Sequence, residues 1–178
     1  MNSFSPPSVK KVAVIGPECT GKSELSGYLA THFKTEWVPE YARGYIGRLT
    51  RPYTQDDLLT IAHGQLRIED EFTRDSNKIL ICDTNLYVIK IWSEFKFGKC
   101  NEEILQQIAS RKYDLYLLTY VDIPWQEDPQ REHPHKRQEL YDIYLREMQN
   151  QQVPFVEIKG DRELRRKTAV DSIERIIS

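Results

Sequence analysis

The chain has 178 residues, 39% hydrophobic and 29% charged, the composition of one ordinary folded domain with a buried core. Its 25 basic residues against 27 acidic ones leave a formal net charge of −2, so there is no global basic field for a nucleic acid, and an anionic ligand needs a local basic pocket. Three cysteines at irregular spacing, Cys19, Cys82 and Cys100, argue against a disulfide framework or a zinc site and suit free thiols in a reducing cytoplasm.

Residues 1–9 are polar and proline-containing, without the apolar core of a signal peptide, and read as a flexible tail. No apolar run is long enough to span a membrane. Val12–Ile15 forms the first expected strand, and a helix follows from Lys22 to about Phe33 with Leu25, Leu29 and Phe33 on one face. Glu36–Val38 suits a short strand, and Pro39 suits the first turn of a helix through Tyr41, Tyr45 and Ile46. Thr54 is an N-cap, with Asp56 and Asp57 in the first turn of a helix reaching about Arg74. Ile79–Cys82 reads as a buried strand ending in Asp83, followed by helices over Leu86–Phe95 and Glu102–Ser110, the second capped by Asn101. Tyr113–Tyr120 reads as a strand, the proline-rich and charged Val121–Lys136 as a loop, and Arg137–Asn150 as a helix. Val153–Ile158 is the last strand. Gly160 ends it, Asp161 caps, and Leu164, Val170, Ile173 and Ile177 line a final helix. Five strands alternating with helices imply an α/β fold: a five-stranded parallel sheet with helices on both faces, in a single domain over residues 10–178.

Gly16-Pro17-Glu18-Cys19-Thr20-Gly21-Lys22-Ser23 matches the phosphate-binding pattern G-x-x-x-x-G-K-[ST] in full, between an expected strand and an expected helix. The spacing has a chemical reason. Two glycines let the backbone curl so that its N–H groups converge on an anion, and the helix N-terminus adds its dipole. Lys22 then reaches the β- and γ-phosphates of ATP, and Ser23 ligates Mg²⁺. This is the P-loop NTPase arrangement.

Asp83, at the carboxyl end of a strand beside that loop, is a second Mg²⁺ ligand, a helix cap, or both. Glu40 and Arg43 are three apart on an expected helix at the same sheet edge. There Glu40 can accept the proton of an attacking hydroxyl and Arg43 can contact the substrate; the alternative is a surface ion pair. The loop at about 122–136 suits a closing lid, with Arg131 as the residue that neutralises the transferred phosphate and Arg137, Lys136 or His135 as substitutes. Arg162, after the last strand, is either an adenine-stacking side chain or part of a plain helix start. His133 and His135 have no other close ligands and read as loop residues rather than a metal site. Trp92 or Trp125 can border a substrate ring.

The phosphate loop, Pro39-Glu40-Tyr41-Ala42-Arg43, Asp83-Thr84, and Asp114-Leu115-Tyr116-Leu117-Leu118 running into Asp122-Ile123-Pro124-Trp125 occur in that order. Together they resemble the ribosylnicotinamide kinase domain of NadR-type NAD-biosynthesis proteins, from about Lys10 to the end. The loop is generic; the Glu-Tyr-Ala-Arg and Asp-Ile-Pro-Trp segments are the specific part. The resemblance implies a nucleoside-kinase-like fold and ATP-dependent phosphorylation of the 5′-hydroxyl of nicotinamide riboside. It also implies a metal role for Asp83 and a lid carrying Arg131. No DNA-binding segment or adenylyltransferase domain precedes the phosphate loop, so neither repression nor NAD synthesis from the mononucleotide is expected. A kinase for another nucleoside or small alcohol shares every ATP-side motif. An ATP-binding regulatory module with slow hydrolysis is the alternative of a different class. The partner expected is a small nucleoside-like molecule rather than nucleic acid or membrane, and the sequence leaves the oligomeric state open.

Overall fold

The computed structural model describes residues 9–76 and 78–178; the expected tail, apart from Val9, lies outside them. Five parallel strands, β1 (Lys10–Ile15), β2 (Trp37–Val38), β3 (Ile79–Asp83), β4 (Leu115–Thr119) and β5 (Phe155–Ile158), form one sheet in the order β2-β3-β1-β4-β5. The helices are α1 (Lys22–Phe33), α2 (Tyr41–Ile46), α3 (Gln55–Asp75), α4 (Leu86–Phe97), α5 (Glu102–Ser110), α6 (Arg137–Gln151) and α7 (Arg162–Ile177). The first strand therefore lies in the middle, hydrogen-bonded to β3 on one side and β4 on the other. Its carboxyl end, where the phosphate loop begins, is flanked by the carboxyl ends of both neighbours. In such a sheet this is where ligands bind.

The pleat sends alternate side chains to opposite faces. Val12 and Val14 of β1 pack with Leu25 and Leu29 of α1 and with Ala169 and Ile173 of α7. Ala13 and Ile15 pack on the other face with Tyr87 and Ile91 of α4 and with Leu140, Tyr141, Tyr144 and Met148 of α6. Every residue of β3 and β4 is buried, as a sheet covered on both faces requires. A satellite core beside the β2–β3 edge of the sheet joins α2, α3, α4 and α5 through Ala42, Leu58, Ile61, Leu86 and Ile104. Among the described residues no helix is long and apolar enough to cross a membrane.

The local signals acted largely as expected. Thr54 and Asp57 form a reciprocal capping box at the start of α3, and Asn85, Asn101 and Asp161 cap α4, α5 and α7 by accepting backbone N–H groups. Four expectations shift. Pro39 stands before the N-cap of α2, which is Glu40, rather than in its first turn. The strand expected over 113–120 pairs only over Leu115–Thr119. The last strand begins at Phe155, because Pro154 has no N–H to give the ladder. On α7 Leu164 and Ile177 are exposed; the buried stripe is instead Arg165, Ala169 and Ile173, four residues apart.

Candidate active site

The loop of residues 16–23 joins β1 to α1. Gly16 has φ +141°, and a Cβ there would stand 2.4 Å from the Thr119 hydroxyl and 2.8 Å from the Thr119 carbonyl. Both the dihedral and the contact with β4 thus exclude a side chain. Thr119 donates to the Ile15 carbonyl at 3.0 Å and shares a 2.7 Å hydrogen bond with Thr20, so the loop is tied to the strand beside it. Gly21, also at positive φ, caps α1. The Lys22 ammonium donates to the Pro17 carbonyl at 2.8 Å, across the mouth of the loop.

Asp83 ends β3 opposite Val14, which puts its carboxylate beside the first turn of α1. It is 1% exposed. The Ser23 hydroxyl donates to Oδ2 at 2.5 Å, and Oδ1 is buried with no hydrogen-bond partner. Burial pushes this carboxyl up to about 6, against the opposing pull of Ser23 and Lys22. A buried carboxylate oxygen without a partner, next to a hydroxyl, is a donor set that a hard divalent cation fits. Mg²⁺ is commonly held by one carboxylate and a hydroxyl together with substrate phosphates rather than by a full protein cage. Among the described residues no cluster of three or more His, Cys, Asp or Glu forms such a cage.

A cleft of about 770 Å³ opens over this edge of the sheet. One end is floored by the phosphate loop and walled by Gly160, Asp161, Arg162 and Arg165. The other end is lined by Glu40, Arg43, Tyr53, Trp92, Phe95 and Tyr144. The Trp92 indole N–H donates to the Tyr53 hydroxyl at 2.8 Å, and the two rings meet edge to face at 4.9 Å. Glu40 lines the cleft without an ion-pair partner among the described residues. Arg43 does not pair with it; Arg43 bonds Asp128 of the loop over 122–136 at 2.5 Å, and that hydrogen bond raises its basicity. Asp128 is lowered in turn, first by the Gln130 N–H and then by Arg43.

Residues 122–136 run across the cleft from β4 to α6. Arg131 donates to Cys19 Sγ at 3.3 Å and to the Gln126 carbonyl at 2.5 Å, so its guanidinium lies against the phosphate loop. Arg137, a weighed substitute, holds the carbonyls of Cys19 and Ile123 at 3.1 and 2.8 Å. Lys136 lies over the Phe95 ring and His133 meets that ring edge-on. Arg162 is turned to Glu24, at 2.9 Å, on the rim of the cleft.

Two residues with a place in this site, Arg165 and Asp128, escaped the sequence. Arg165, 5% exposed, donates to the Thr20 carbonyl at 2.8 Å, the Tyr120 carbonyl at 2.8 Å, the Gly160 carbonyl at 3.0 Å and the Asp122 carboxylate. It locks together three loops that border the cleft. An arginine on the apolar i, i+4 row of a helix was the available signal. Asp128 meets Arg43 across 85 positions and left none; Glu18 was expected within the phosphate loop, but not its hydrogen bonds to the Glu132 and His133 N–H groups.

The sequence matches the AAA domain family over residues 11–165. The chain belongs to that family. The trifunctional NAD biosynthesis/regulator protein NadR of Escherichia coli (strain K12) is 25% identical to this chain over 161 residues, 86% of this chain and 39% of NadR. The chain thus spans about two fifths of that relative's length. Crystal structures of NadR in complex with NR and in complex with NAD and AMP-PNP superpose with TM-scores of 0.79 and 0.77, at 22% and 20% identity. Each covers 96% of this chain and about half of theirs. Thymidylate kinase from Ehrlichia chaffeensis shares the fold at a TM-score of 0.69 and 13% identity, with 94% of this chain and 100% of that one covered. The AAA domain described here therefore has the P-loop kinase fold, and its resemblance to NadR extends over nearly the whole chain.

Proposed function

We propose that the chain is an ATP-dependent kinase that phosphorylates the 5′-hydroxyl of nicotinamide riboside to give nicotinamide mononucleotide. The observation that carries this is the continuity of one cleft from the phosphate loop to a chamber walled by aromatic rings and carboxylates. The likeness to NadR, solved with NR, supports the same acceptor.

The charge of the chamber favours such a molecule. Arg43 is neutralised by Asp128, and Lys96 by Glu132 at 2.8 Å, while Glu18, Glu40 and Asp83 line or border the space. A pyridinium ring carries positive charge and suits the aromatic rings of Trp92 and Tyr144 that line the cleft.

Transfer in this site is mostly positioning and charge stabilisation. The loop N–H groups and Lys22 hold the phosphates of ATP, with Lys22 exchanging the Pro17 carbonyl for phosphate oxygen. Ser23 and Asp83 would hold Mg²⁺, which would supply charge neutralisation for the phosphates. Glu40 orients the acceptor hydroxyl and takes its proton. Arg131 neutralises the oxygens of the moving phosphoryl group, and the Gly160–Arg162 turn walls the base. The domain extends over residues 10–178 with its lid at about 122–136.

The test is ADP release with ATP and Mg²⁺, with and without nicotinamide riboside, beside a panel of other nucleosides. Release stimulated by nicotinamide riboside above every other acceptor is expected. Stimulation only by another nucleoside overturns the acceptor, and stimulation by none, with ATP still bound, overturns the kinase.

A further inference from the structure

An acidic side chain inside a phosphate loop is electrostatically out of place, since its charge opposes the anion the loop holds. Glu18 resolves this by pointing at the lid. Its carboxylate accepts the Glu132 N–H on both oxygens, at 3.2 and 3.1 Å, and the His133 N–H at 3.1 Å. The same two lid residues are seated on the acceptor wall by their side chains. The Glu132 carboxylate takes the Lys96 ammonium at 2.8 Å and the Tyr53 hydroxyl, and the His133 ring stands edge-on to Phe95 with centroids 5.1 Å apart. Residues 132–133 are thus a foot: its backbone rests on the phosphate loop and its side chains on the acceptor chamber. Arg131, against the loop at Cys19, is the residue immediately before it.

We propose that Glu18 is a positioning residue that docks the lid foot, so that packing of an acceptor against Tyr53 and Phe95 is relayed to the seat of Arg131 over the phosphate loop. The kinetic part rests on the kinase reading above; the docking part does not. Charge-assisted hydrogen bonds to backbone N–H groups are among the stronger contacts a loop can make. They are spent here on the lid rather than on the nucleotide.

Two measurements test it. The first is limited trypsin digestion of the whole chain without ligands, following the Arg131–Glu132 bond, whose own amide N–H is one of those Glu18 accepts. Glu18→Ala should speed that cut about tenfold, and Glu18→Gln, which keeps an acceptor carbonyl, should restore much of the resistance. A wild-type rate of cutting in Glu18→Ala overturns the docking role. The second is steady-state kinetics. Glu18→Ala should lower kcat about tenfold with KM for ATP unchanged or reduced, because a repelling carboxylate has left the loop. A rise in KM for ATP that accounts for the whole loss overturns the proposal, since that is the mark of a deformed phosphate loop. If the wild-type chain turns over no acceptor, the kinase reading falls, and the digestion alone decides whether Glu18 holds the lid.

Discussion

Lys22 and Asp83 show how single residues divide binding from stability. Lys22 is partly exposed and, among the described residues, its ammonium bonds only a loop carbonyl, so Lys22→Ala has little cost to the core and, on the reading proposed above, removes a phosphate contact. Turnover should fall about 100-fold or more with the thermal midpoint nearly unchanged; near-normal turnover would refute the role. Asp83 is the opposite case. Its carboxyl is raised by burial from 3.8 to about 6, so the folded state holds the proton more tightly than the unfolded state does. The stability linked to that proton is complete below about pH 4 and is lost as pH rises through about 6, a cost of about 3 kcal/mol at neutral pH. Asp83→Asn should therefore stabilise the metal-free chain by about 1–3 kcal/mol at pH 8 while abolishing turnover. Denaturant titrations at pH 4 and pH 8 check this: the gain should disappear at the lower pH.

At the scale of elements, the position of Glu40 depends on how α2 packs on α3. Gly64 of α3 lies under the Tyr41 ring, and a Cβ at Gly64 would come within 2.2 Å of it. Tyr41 N–H is also held by Gln65 at 2.8 Å, so the start of α2 is fixed on α3 from two sides. Gly64→Ala is tolerable as helix but not as packing. It should cost about 1–3 kcal/mol and raise KM for the acceptor more than KM for ATP, read from denaturant midpoints and initial rates. This coupling explains what was legible beforehand. The capping box at Thr54, the strand running into Asp83 and the phosphate loop are all local patterns, written within a few residues. The Arg165–Thr20 contact spans 145 positions and the Arg131–Cys19 contact 112. Pairs of that kind depend on which loops the strand order brings together; spacing put Arg165 on the buried row of α7 and Arg131 in the loop after β4, but not the partners that each one meets. The same limit hid the partner of Arg43, which local spacing pointed toward Glu40 and the fold gives to Asp128.

Across the whole molecule, stability and chemistry sit at opposite ends of the sheet. Glu69 is fully buried on α3 and is met by the Lys11 ammonium at 3.0 Å, the Tyr113 hydroxyl at 2.6 Å and Arg111 at 3.6 Å. The cluster lies near the amino ends of β1 and β4, away from the cleft. Removing the Glu69 charge leaves the partly exposed Lys11 without its ion-pair partner, while Arg111 keeps Asp70 at 2.7 Å. Glu69→Gln should lower stability by about 1–3 kcal/mol yet leave KM for ATP unchanged at a temperature where the variant is folded, measured by thermal unfolding beside initial rates. A changed KM would mean the two ends are mechanically linked.

The strand order has an evolutionary consequence. Because β1 is central, Glu40, Arg43, Tyr53, Trp92 and Phe95 all come from segments that follow β2 or β3, while Asp122, Arg131, Gly160 and Arg165 follow β4 or β5. Under the kinase reading proposed above, substitutions in the segments after β2 and in α4 change the chamber while the phosphate loop after β1 and the turn after β5 stay as they are, so the acceptor can change in a lineage that keeps its hold on ATP.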